Sequence, residues 1–396
     1  MRSLLYLLVL LAAPAQAQTL KDAVESAWRR SPAGATESLR QDEAKARADV
    51  AGSWLRASPS VSAGYKTDQI DRNVGAREVE IELGVPLALP GDRARAIAVG
   101  NAESNALRAT LAAERLRLAG DVRDAYWTVH AARNERAQAQ RRVDDLQSLA
   151  DDVMRRVRVG DLARVDELQA RSALLAAMSA LRQSELDVVR AERAFAQLTG
   201  LTASPQAAVS EAGAGDTVDA TSHPLLAQAR AQAQAAVARA RQAFEVRRDA
   251  PEVAVTLTRE RGEFTAAYGH AIRVGVKVPL GSDDRNRVRI AETAAQRTGA
   301  EIELQRTEAR LAAQLTDARD ALAVARAALA TAQERARLAE QAQALIGRAF
   351  TLGERDLAAR LRADAERFEA DLAAARAQLD VGRAVSRLNQ AAGVMP

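Results

Sequence analysis

The chain repeats itself, because landmarks of its first half recur in its second half at a constant displacement of 193 positions (278 − 85 = 193). The matching pieces are Val85-Pro86-Leu87 with Val278-Pro279-Leu280, Gly160 with Gly353, and Gly200 with Gly393. Since the displacement neither grows nor shrinks, each half has to build a structural unit of the same dimensions. The sequence therefore predicts two tandem structural repeats, residues 18–211 and 223–396, joined by a polar, glycine-rich linker at 212–222.

The amino terminus has the pattern of an export signal. Arg2 precedes an apolar run of about ten residues from Leu4 to Ala13, and Ala15-Gln16-Ala17 matches the A-x-A cleavage pattern. The run is shorter than the roughly 20 apolar residues of a membrane-spanning helix, and no later segment approaches that length. We therefore expect residues 1–17 to be removed on export.

The composition excludes several kinds of chemistry. There is no cysteine, which excludes disulfides, thiol catalysis and a lipid anchor on an amino-terminal cysteine. Aromatic residues make up only 3% of the chain, which favours close-packed helices over a thick globular core. The formal net charge of +4 comes from charges of both signs interspersed along helices, which indicates solvated helix faces rather than a nucleic-acid partner.

Four segments have the alternation that is typical of β-strands, at about 58–66, 77–88, 252–260 and 267–280. One face of each is apolar and the other polar, and the charged residues singled out on the polar face are Glu78, Glu80, Glu82, Arg273 and Lys277. Such a sheet either packs its apolar face on a protein core or turns that face to lipid in a membrane barrel. Four strands cannot close a barrel, and an open edge in lipid costs several kcal/mol per unpaired group. Membrane insertion would therefore require several chains to complete one barrel together.

Two uninterrupted helical stretches, 92–158 and 285–351, have 67 residues each (158 − 92 + 1 = 67). At ~1.5 Å per residue each would be roughly 100 Å long, far beyond the helices of ordinary globular proteins. Their apolar residues step by four and three, which predicts lengthwise packing against other helices. Shorter helices are predicted at about 20–55, with a kink at Ser31-Pro32, and at about 162–198, 223–248 and 355–392. Each half then contains a short helix, two strands, a long helix and a short helix.

This order of elements, together with a set of short motifs, resembles the TolC family of outer-membrane efflux ducts over essentially the whole mature chain. The motifs are the Thr19-Leu20 opening with Ser31-Pro32, the Val-Pro-Leu before each long helix, Gly160 and Gly353 between antiparallel helices, and Leu198-Thr199-Gly200-Leu201. The resemblance implies a mainly α fold with membrane β-structure. It also implies a homotrimer, with a twelve-stranded outer-membrane β-barrel continued by a twelve-helix periplasmic α-barrel. The length of the chain and its Val-Pro-Leu turn are similar to those of the CzcC-like cation-efflux branch of the family.

The resemblance further implies that two helix turns form a periplasmic tip that an adaptor protein grips. The corresponding residues are Val159, Gly160, Asp161 and Leu162 in the first repeat and Leu352, Gly353, Glu354 and Arg355 in the second. Glycine suits a tight helix reversal and the close approach of a partner helix. A simple turn between two antiparallel helices would use glycine in the same way, so both interpretations stay open.

A closing link at the tip is implied for Asp166 and Arg355, which match positions of such a link in the family. An exposed ion pair of this kind is worth about 0 to 1 kcal/mol, which suits a gate that has to open. Phe350 stands where a gating tyrosine would be. Ala359 and Arg362 stand where some members of the family have paired acidic residues at a constriction. No cation-binding acidic ring is therefore expected at that level.

The leading interpretation is a passive exit duct in the bacterial outer membrane, with most of the chain in the periplasm and the polar strand faces lining the pore. Its implied partners are a periplasmic adaptor of the membrane-fusion type, an inner-membrane pump of the RND type and outer-membrane lipid. A periplasmic coiled-coil structural or adaptor protein is the alternative, although it does not account for the strands. An amphipathic membrane-remodelling protein would explain neither the strands nor the export signal. Metal cations, drugs and other compounds all stay open as the exported substrate.

The sequence contains no pattern that indicates an enzyme, a cofactor or a metal site. His130, His223 and His270 fall in different predicted elements without ligand spacing, so each is expected to be structural or solvated. Asp144-Asp145 and Asp151-Asp152 lie seven positions apart on an arginine-rich helix, which indicates a charged helix face rather than paired catalytic carboxylates.

The few aromatic residues have structural interpretations. Trp28, Trp54 and Trp127 are predicted to be packing anchors between helices. Another three, Tyr65, Phe264 and Tyr268, lie near strand ends, where either an aromatic belt at the lipid headgroups or ordinary sheet packing would place them.

Overall fold

The computed structural model describes residues 19–201, 205, 208–213, 222–246, 250–280 and 283–396. The predicted export signal, 1–17, and most of the predicted linker, 214–221, lie outside the described residues. The elements, in chain order, are α1 (Leu20–Arg30), α2 (Pro32–Ala35), α3 (Glu37–Ala51), β1 (Ser60–Thr67), β2 (Arg77–Pro86), α4 (Pro90–Arg158), α5 (Arg164–Thr199), α6 (Pro224–Glu245), β3 (Glu252–Arg261), β4 (Gly269–Lys277), α7 (Asp283–Thr351) and α8 (Leu357–Ala391).

The described chain forms two compact units, and each takes segments from both predicted repeats. The sheet unit comprises Thr36–Ala113 and Pro224–Ala309. The helical unit comprises the described parts of Met1–Ala35, Glu114–His223 and Arg310–Pro396. The compact units therefore do not follow the predicted repeat boundaries, which stay a prediction.

The sheet unit contains one antiparallel sheet with the order β1-β2-β3-β4. The strands begin and end within three residues of their predicted bounds. In the register of the sheet, Glu82 lies opposite Thr256, and Thr256 lies opposite Arg273. Because side chains alternate along a strand, this register puts the predicted polar residues of all four strands on one face.

The helix predicted at 20–55 is interrupted rather than kinked, which corrects the sequence prediction. Its first piece, α1, ends at Arg30 because Ser31 has an extended backbone (φ −68°, ψ 148°), and a residue before proline is disfavoured from the helical region. Two separate helices, α2 and α3, follow, and α3 ends at Ala51.

Trp54 is not the interhelix anchor that the sequence predicted, because it lies beyond the end of α3. Its side chain is 58% exposed, and its ring lies 4.4 Å from the guanidinium carbon of Arg93. The prediction holds for Trp28 and Trp127, which are both buried in the helical unit.

Packing between helices forms the core of the helical unit. The largest apolar cluster joins α1, α4 and α5, and its most buried members are Ala23, Val24, Ala119, Val122, Val129 and Phe195. Two further clusters follow the predicted four-and-three seams, one around Leu146 and Leu174 and another around Leu322 and Val385. These seams are the α4–α5 and α7–α8 contacts.

The long helices α4 and α7 have 69 residues each, two more than predicted, because each begins two residues earlier. Within the described residues, none of the helices combines the length and the apolar character that a membrane crossing requires.

A buried polar network fastens residues 208–213 to the helices of the helical unit. The Arg123 guanidinium is 3% exposed and donates two hydrogen bonds to the Glu211 carboxylate, at 2.9 and 2.7 Å. It also donates to Gln390 Oε1 at 2.6 Å and to the Val394 carbonyl at 2.9 Å. The network therefore ties α4, α8 and the chain before the predicted linker together at one point.

Candidate docking tip and pore-facing strands

Both long helices end in the same backbone motif, at the two positions where the sequence predicts the tip. Gly160 has φ +83°, and its N–H donates to the Val157 carbonyl at 3.0 Å, while the Asp161 N–H donates to the Arg156 carbonyl at 2.9 Å. At the other turn Gly353 has φ +76° and makes the equivalent bond at 3.1 Å. This pair of bonds is the Schellman motif, whose left-handed residue is usually glycine.

Each turn exposes an apolar side chain beside bare backbone. The preceding residues, Val159 and Leu352, are 81% and 73% exposed. A Cβ built on Gly160 or Gly353 would meet no heavy atom within 4 Å. Leu162 differs from these, since it packs on the apolar cluster beneath the turn. The surface that a partner could touch therefore consists of Val159, Leu352, the two glycines and the exposed charges of Asp161, Glu354 and Arg355.

Beneath the turns lies a buried cluster to which both helix hairpins contribute. Its buried members are Val153, Ala170, Phe350 and Leu357. Phe350, at the position where the family resemblance suggests a tyrosine, is only 3% exposed. The turns are therefore held by apolar packing and not by a hydroxyl at that position.

Arg156 joins the two turns, and the sequence analysis missed it. Its Nε–H donates to Asp161 Oδ2 at 2.6 Å, and its Nη1–H donates to the Phe350 carbonyl at 3.3 Å. The guanidinium carbon also lies 5.0 Å from the centroid of the Phe350 ring, within cation–π range. In the sequence, Arg156 is recognisable only as one of the cations in the last turn of α4, where positive charge offsets the helix dipole. That position does not indicate which groups the guanidinium contacts.

The predicted closing link is not formed within one chain. Asp166 Oδ2 accepts the Ala163 N–H at 3.0 Å and so caps the start of α5. Arg355 is exposed and precedes Asp356, which caps α8 by accepting the Ala359 N–H at 2.9 Å. Among the described residues no ion pair joins Asp166 to Arg355. A link between protomers stays a prediction.

The sheet exposes its apolar face. Ile81, Val274 and Val276 are 46%, 69% and 65% exposed, and no described part of this chain covers them. On the polar face Glu78, Glu80 and Glu82 are half-buried, Thr256 and Thr258 are buried, and Arg273 and Lys277 are exposed. This inverts the usual arrangement of a soluble sheet, so the interpretation of an apolar face packed on a protein core is not met within this chain.

The histidines have structural surroundings. His130 is 5% exposed and its ring lies 4.4 Å from that of Tyr126, while His223 is 3% exposed. Burial, with a smaller contribution from Arg133, lowers the pKa of His130 to about 4, and burial also lowers the pKa of His223. Within the described ranges, no three His, Cys, Asp or Glu side chains are grouped so that they could hold a metal ion.

Acidification from pH 7 to pH 4.5 is expected to destabilise the helical unit through His130. The unfolded histidine has a pKa of about 6.5 and the folded one about 4, so between these values the unfolded state binds more protons. Stability therefore falls as the pH drops through this window, by at most about 3 kcal/mol for this residue. Thermal unfolding at both pH values measures the loss, which should be smaller in His130→Gln and unchanged in the exposed control His270→Gln. An undiminished loss in His130→Gln would contradict the prediction.

Comparison with known proteins relates these features to a family. Residues 23–201 match the model of the outer membrane efflux protein family. The cobalt-zinc-cadmium resistance protein CzcC of Cupriavidus metallidurans is 26% identical over 261 residues, which cover 64% of this chain and 62% of CzcC. The match thus spans less than two thirds of that relative's length.

The same fold occurs in solved structures. The outer membrane protein VceC of Vibrio cholerae superposes with a TM-score of 0.77 at 16% identity, over 95% of this chain and 96% of VceC. CusC superposes with a TM-score of 0.80 at 14% identity, over 95% of this chain and 92% of CusC. The resemblance to outer-membrane efflux proteins that the sequence indicated is confirmed.

Proposed function

We propose that this chain, whose residues 23–201 match the model of the outer membrane efflux protein family, is the outer-membrane exit duct of a tripartite efflux system. The single observation that carries the proposal is the inverted sheet, with its apolar face exposed and its polar face turned the other way. Water does not favour that arrangement, but lipid outside and a water-filled pore inside do. A periplasmic coiled-coil adaptor would have no use for an exposed apolar sheet.

The two outer strands determine how many chains the duct needs. In the described sheet β1 and β4 are edge strands, so each leaves one row of backbone groups unpaired. Those groups are costly in lipid and have to pair with another copy of the chain. Two copies would give eight strands, a barrel whose interior side chains fill, whereas three copies give twelve strands and a wider lumen. A homotrimer is therefore the proposed assembly.

The polar face would line the pore and is acidic overall. It carries five carboxylates, Glu78, Glu80, Glu82, Glu252 and Glu260, against three cations, Lys66, Arg273 and Lys277. A ring of such charges favours cations over anions in a pore. The face supplies no group for energy coupling, so the duct is proposed to be passive and to follow the pump that docks on it.

The partners follow from the two turns. Val159 and Leu352 would insert between side chains of a periplasmic adaptor, and the open backbone at the glycines would let an adaptor helix approach closely. The adaptor would connect the duct to an inner-membrane pump of the RND type, with most of this chain in the periplasm. The exported compound is left open.

Single cysteines on the two faces of β2 and β4 are expected to react at different rates in intact outer membranes. The chain has no cysteine of its own, so each engineered thiol is the only one. Glu80→Cys and Lys277→Cys would face water and react with a membrane-impermeant maleimide on the order of tenfold faster than Ile81→Cys and Val276→Cys in lipid. The paired positions are neighbours in sequence, which matches them for depth in the membrane.

Light scattering of the same detergent-solubilised proteins should give three copies per particle. Equally fast labelling at all four positions would mean a sheet in water and would favour the adaptor interpretation. A reversed order, or a stable monomer, would contradict the proposed duct.

A further inference from the structure

The apolar face of the sheet ends in a group of arginines. Arg77 of β2 lies opposite Arg261 of β3, and Arg259 lies opposite Val79. By strand alternation all three share the face of Ile81 and Leu257, at the end where the loops β1–β2 and β3–β4 join the strands. We call Arg77, Arg259 and Arg261 the arginine cluster. The cluster lies on the face opposite to the proposed pore lining, so a water-filled pore does not account for its charges.

Aromatic rings and loop backbone hold the cluster in position. The Tyr268 ring centroid lies 4.4 Å from the guanidinium carbon of Arg259 and 5.0 Å from that of Arg261. Arg261 Nε–H also donates to the Gly75 carbonyl at 3.0 Å. The Phe264 N–H donates to the Val74 carbonyl at 3.0 Å, which fastens the two loops to each other. These contacts hold the guanidinium groups of Arg259 and Arg261 in position without a ligand.

No ion pair in the described part of the chain neutralises the cluster, although the carboxylates of Asp68, Glu78 and Glu260 line the same cavity as Arg77 and Arg261. None of its three arginines forms an ion pair with any residue in the described part of the chain. The Nε of Arg77 is buried and has no hydrogen-bond partner there. Like charges directly opposite each other on neighbouring strands are destabilising. A bound anion would relieve this repulsion.

The position of the cluster indicates what kind of anion this is, and this step rests on the proposed duct. The helices join the strands at the opposite end of the sheet from the loops, so if the helices are periplasmic the loops face the outside. Arg77 lies one pleat beyond Val79, about 7 Å farther along the strand than the apolar band. Tyr65 and Phe264, 60% and 56% exposed, lie at the same end. Aromatic residues at such a boundary mark the depth of the lipid headgroups.

The geometry points to a binding site for the phosphate groups of a membrane glycolipid in the outer leaflet, formed by Arg77, Arg259 and Arg261. Guanidinium groups bind phosphate oxygens through paired N–H donors, a geometry that the single ammonium of lysine does not provide. The site lies on the two central strands of the sheet, so one protomer completes it without a residue from a neighbour. Acyl chains of the bound lipid would lie along the apolar face below.

The test compares two variants that remove the same number of cations from opposite faces of the sheet. Arg77→Gln/Arg259→Gln/Arg261→Gln removes the cluster, and Lys66→Gln/Arg273→Gln/Lys277→Gln removes three cations from the polar face. The affinity of each detergent-purified trimer for fluorescent diphosphoryl lipid A is measured by thermophoresis. The cluster variant is expected to bind diphosphoryl lipid A on the order of tenfold more weakly than the wild type, or weaker still. The polar-face variant is expected to bind it with the affinity of the wild type. The wild type is also expected to bind dephosphorylated lipid A at least about tenfold more weakly.

Several results would overturn the inference. These are equal binding by the cluster variant and the wild type, an equal loss in the polar-face variant, equal binding of dephosphorylated lipid A, and full competition by millimolar inorganic phosphate. If the triple variant does not form trimers, Arg259→Gln replaces it, because this exposed residue has only a ring contact to lose. Failure of the proposed duct itself would be recognised separately, from the relative maleimide labelling rates of the cysteines on the two faces of the sheet. Normal labelling with unaltered lipid binding therefore rejects only the lipid site.

Discussion

Trimers in which both tip glycines are replaced by asparagine are expected to reach the outer membrane in normal amounts and to fail in export. Gly160 and Gly353 have φ of +83° and +76°, a conformation that asparagine tolerates better than other side chains. No heavy atom lies within 4 Å of the added Cβ, so the folded chain has room for the new side chains. The proposed adaptor helix, packed against the bare backbone, would have no such room. A docking loss of about tenfold or more, roughly 1.4 kcal/mol, is expected.

Gly393→Asn is the matched control for this experiment. Gly393 has φ +76° and the same pair of backbone bonds, to Gln390 at 3.1 Å and from Val394 to Asn389 at 2.9 Å, but it follows α8. The measurements are the abundance of trimers and the susceptibility of cells to the pump's substrate, identified by deleting the pump. Export at the wild-type level by abundant double-variant trimers would mean that the glycines are ordinary turn residues.

The second large effect is expected at Arg123, where Arg123→Met should cost about 3 to 5 kcal/mol of stability. The substitution leaves the Glu211 carboxylate, itself mostly buried, without the guanidinium that donates to it at 2.9 and 2.7 Å. It also removes the donors to Gln390 and to the Val394 carbonyl. Residues 208–213 would then be held to the helices through Tyr126, which accepts the Val209 N–H, and Asn389, which donates to the Ala212 carbonyl.

Urea unfolding of the helical unit, followed by tryptophan fluorescence, measures this cost. Arg123→Met/Glu211→Met should recover a large part of it, because no charge is left buried without a partner. The control is Arg337→Met, whose ion pair with Glu334, three residues earlier on α7, is exposed to solvent and is expected to contribute little to stability. If the single and double variants lose equal stability, packing and not the buried charge is the cause.

Local patterns predicted much of this structure. The strand faces follow from simple alternation, so Glu80 and Ile81 could be assigned to opposite faces without coordinates. Gly160 and Gly353 could be recognised because each follows a long helix and precedes another, where the chain turns back. Such a turn commonly uses a residue at positive φ, and both glycines have that conformation. The break after Arg30 was underestimated, since a proline predicts a boundary but does not say whether the helix bends or ends.

What the sequence could not predict depends on contacts between distant segments. Arg123 and Arg156 are two of many arginines on one helix, and only the fold distinguishes a buried arginine from a solvated one. The arginine cluster escaped notice because Arg77 and Arg261 are 184 positions apart (261 − 77 = 184) and become neighbours only through the register of β2 and β3. Trp54 was misassigned for a local reason, since Gly52, the residue that caps the end of α3, was not read as the end of the helix.

The equal length of α4 and α7 constrains how this protein can evolve. Loss of one heptad from α4 alone would draw Gly160 back by about 10 Å while Gly353 stayed in place. Arg156 would then lose both the Phe350 carbonyl and its ring. Insertions and deletions should consequently be accepted in pairs, one in each half. Lineages that change the reach of the molecule should then show a different displacement between the halves, but the same displacement for every pair of landmarks.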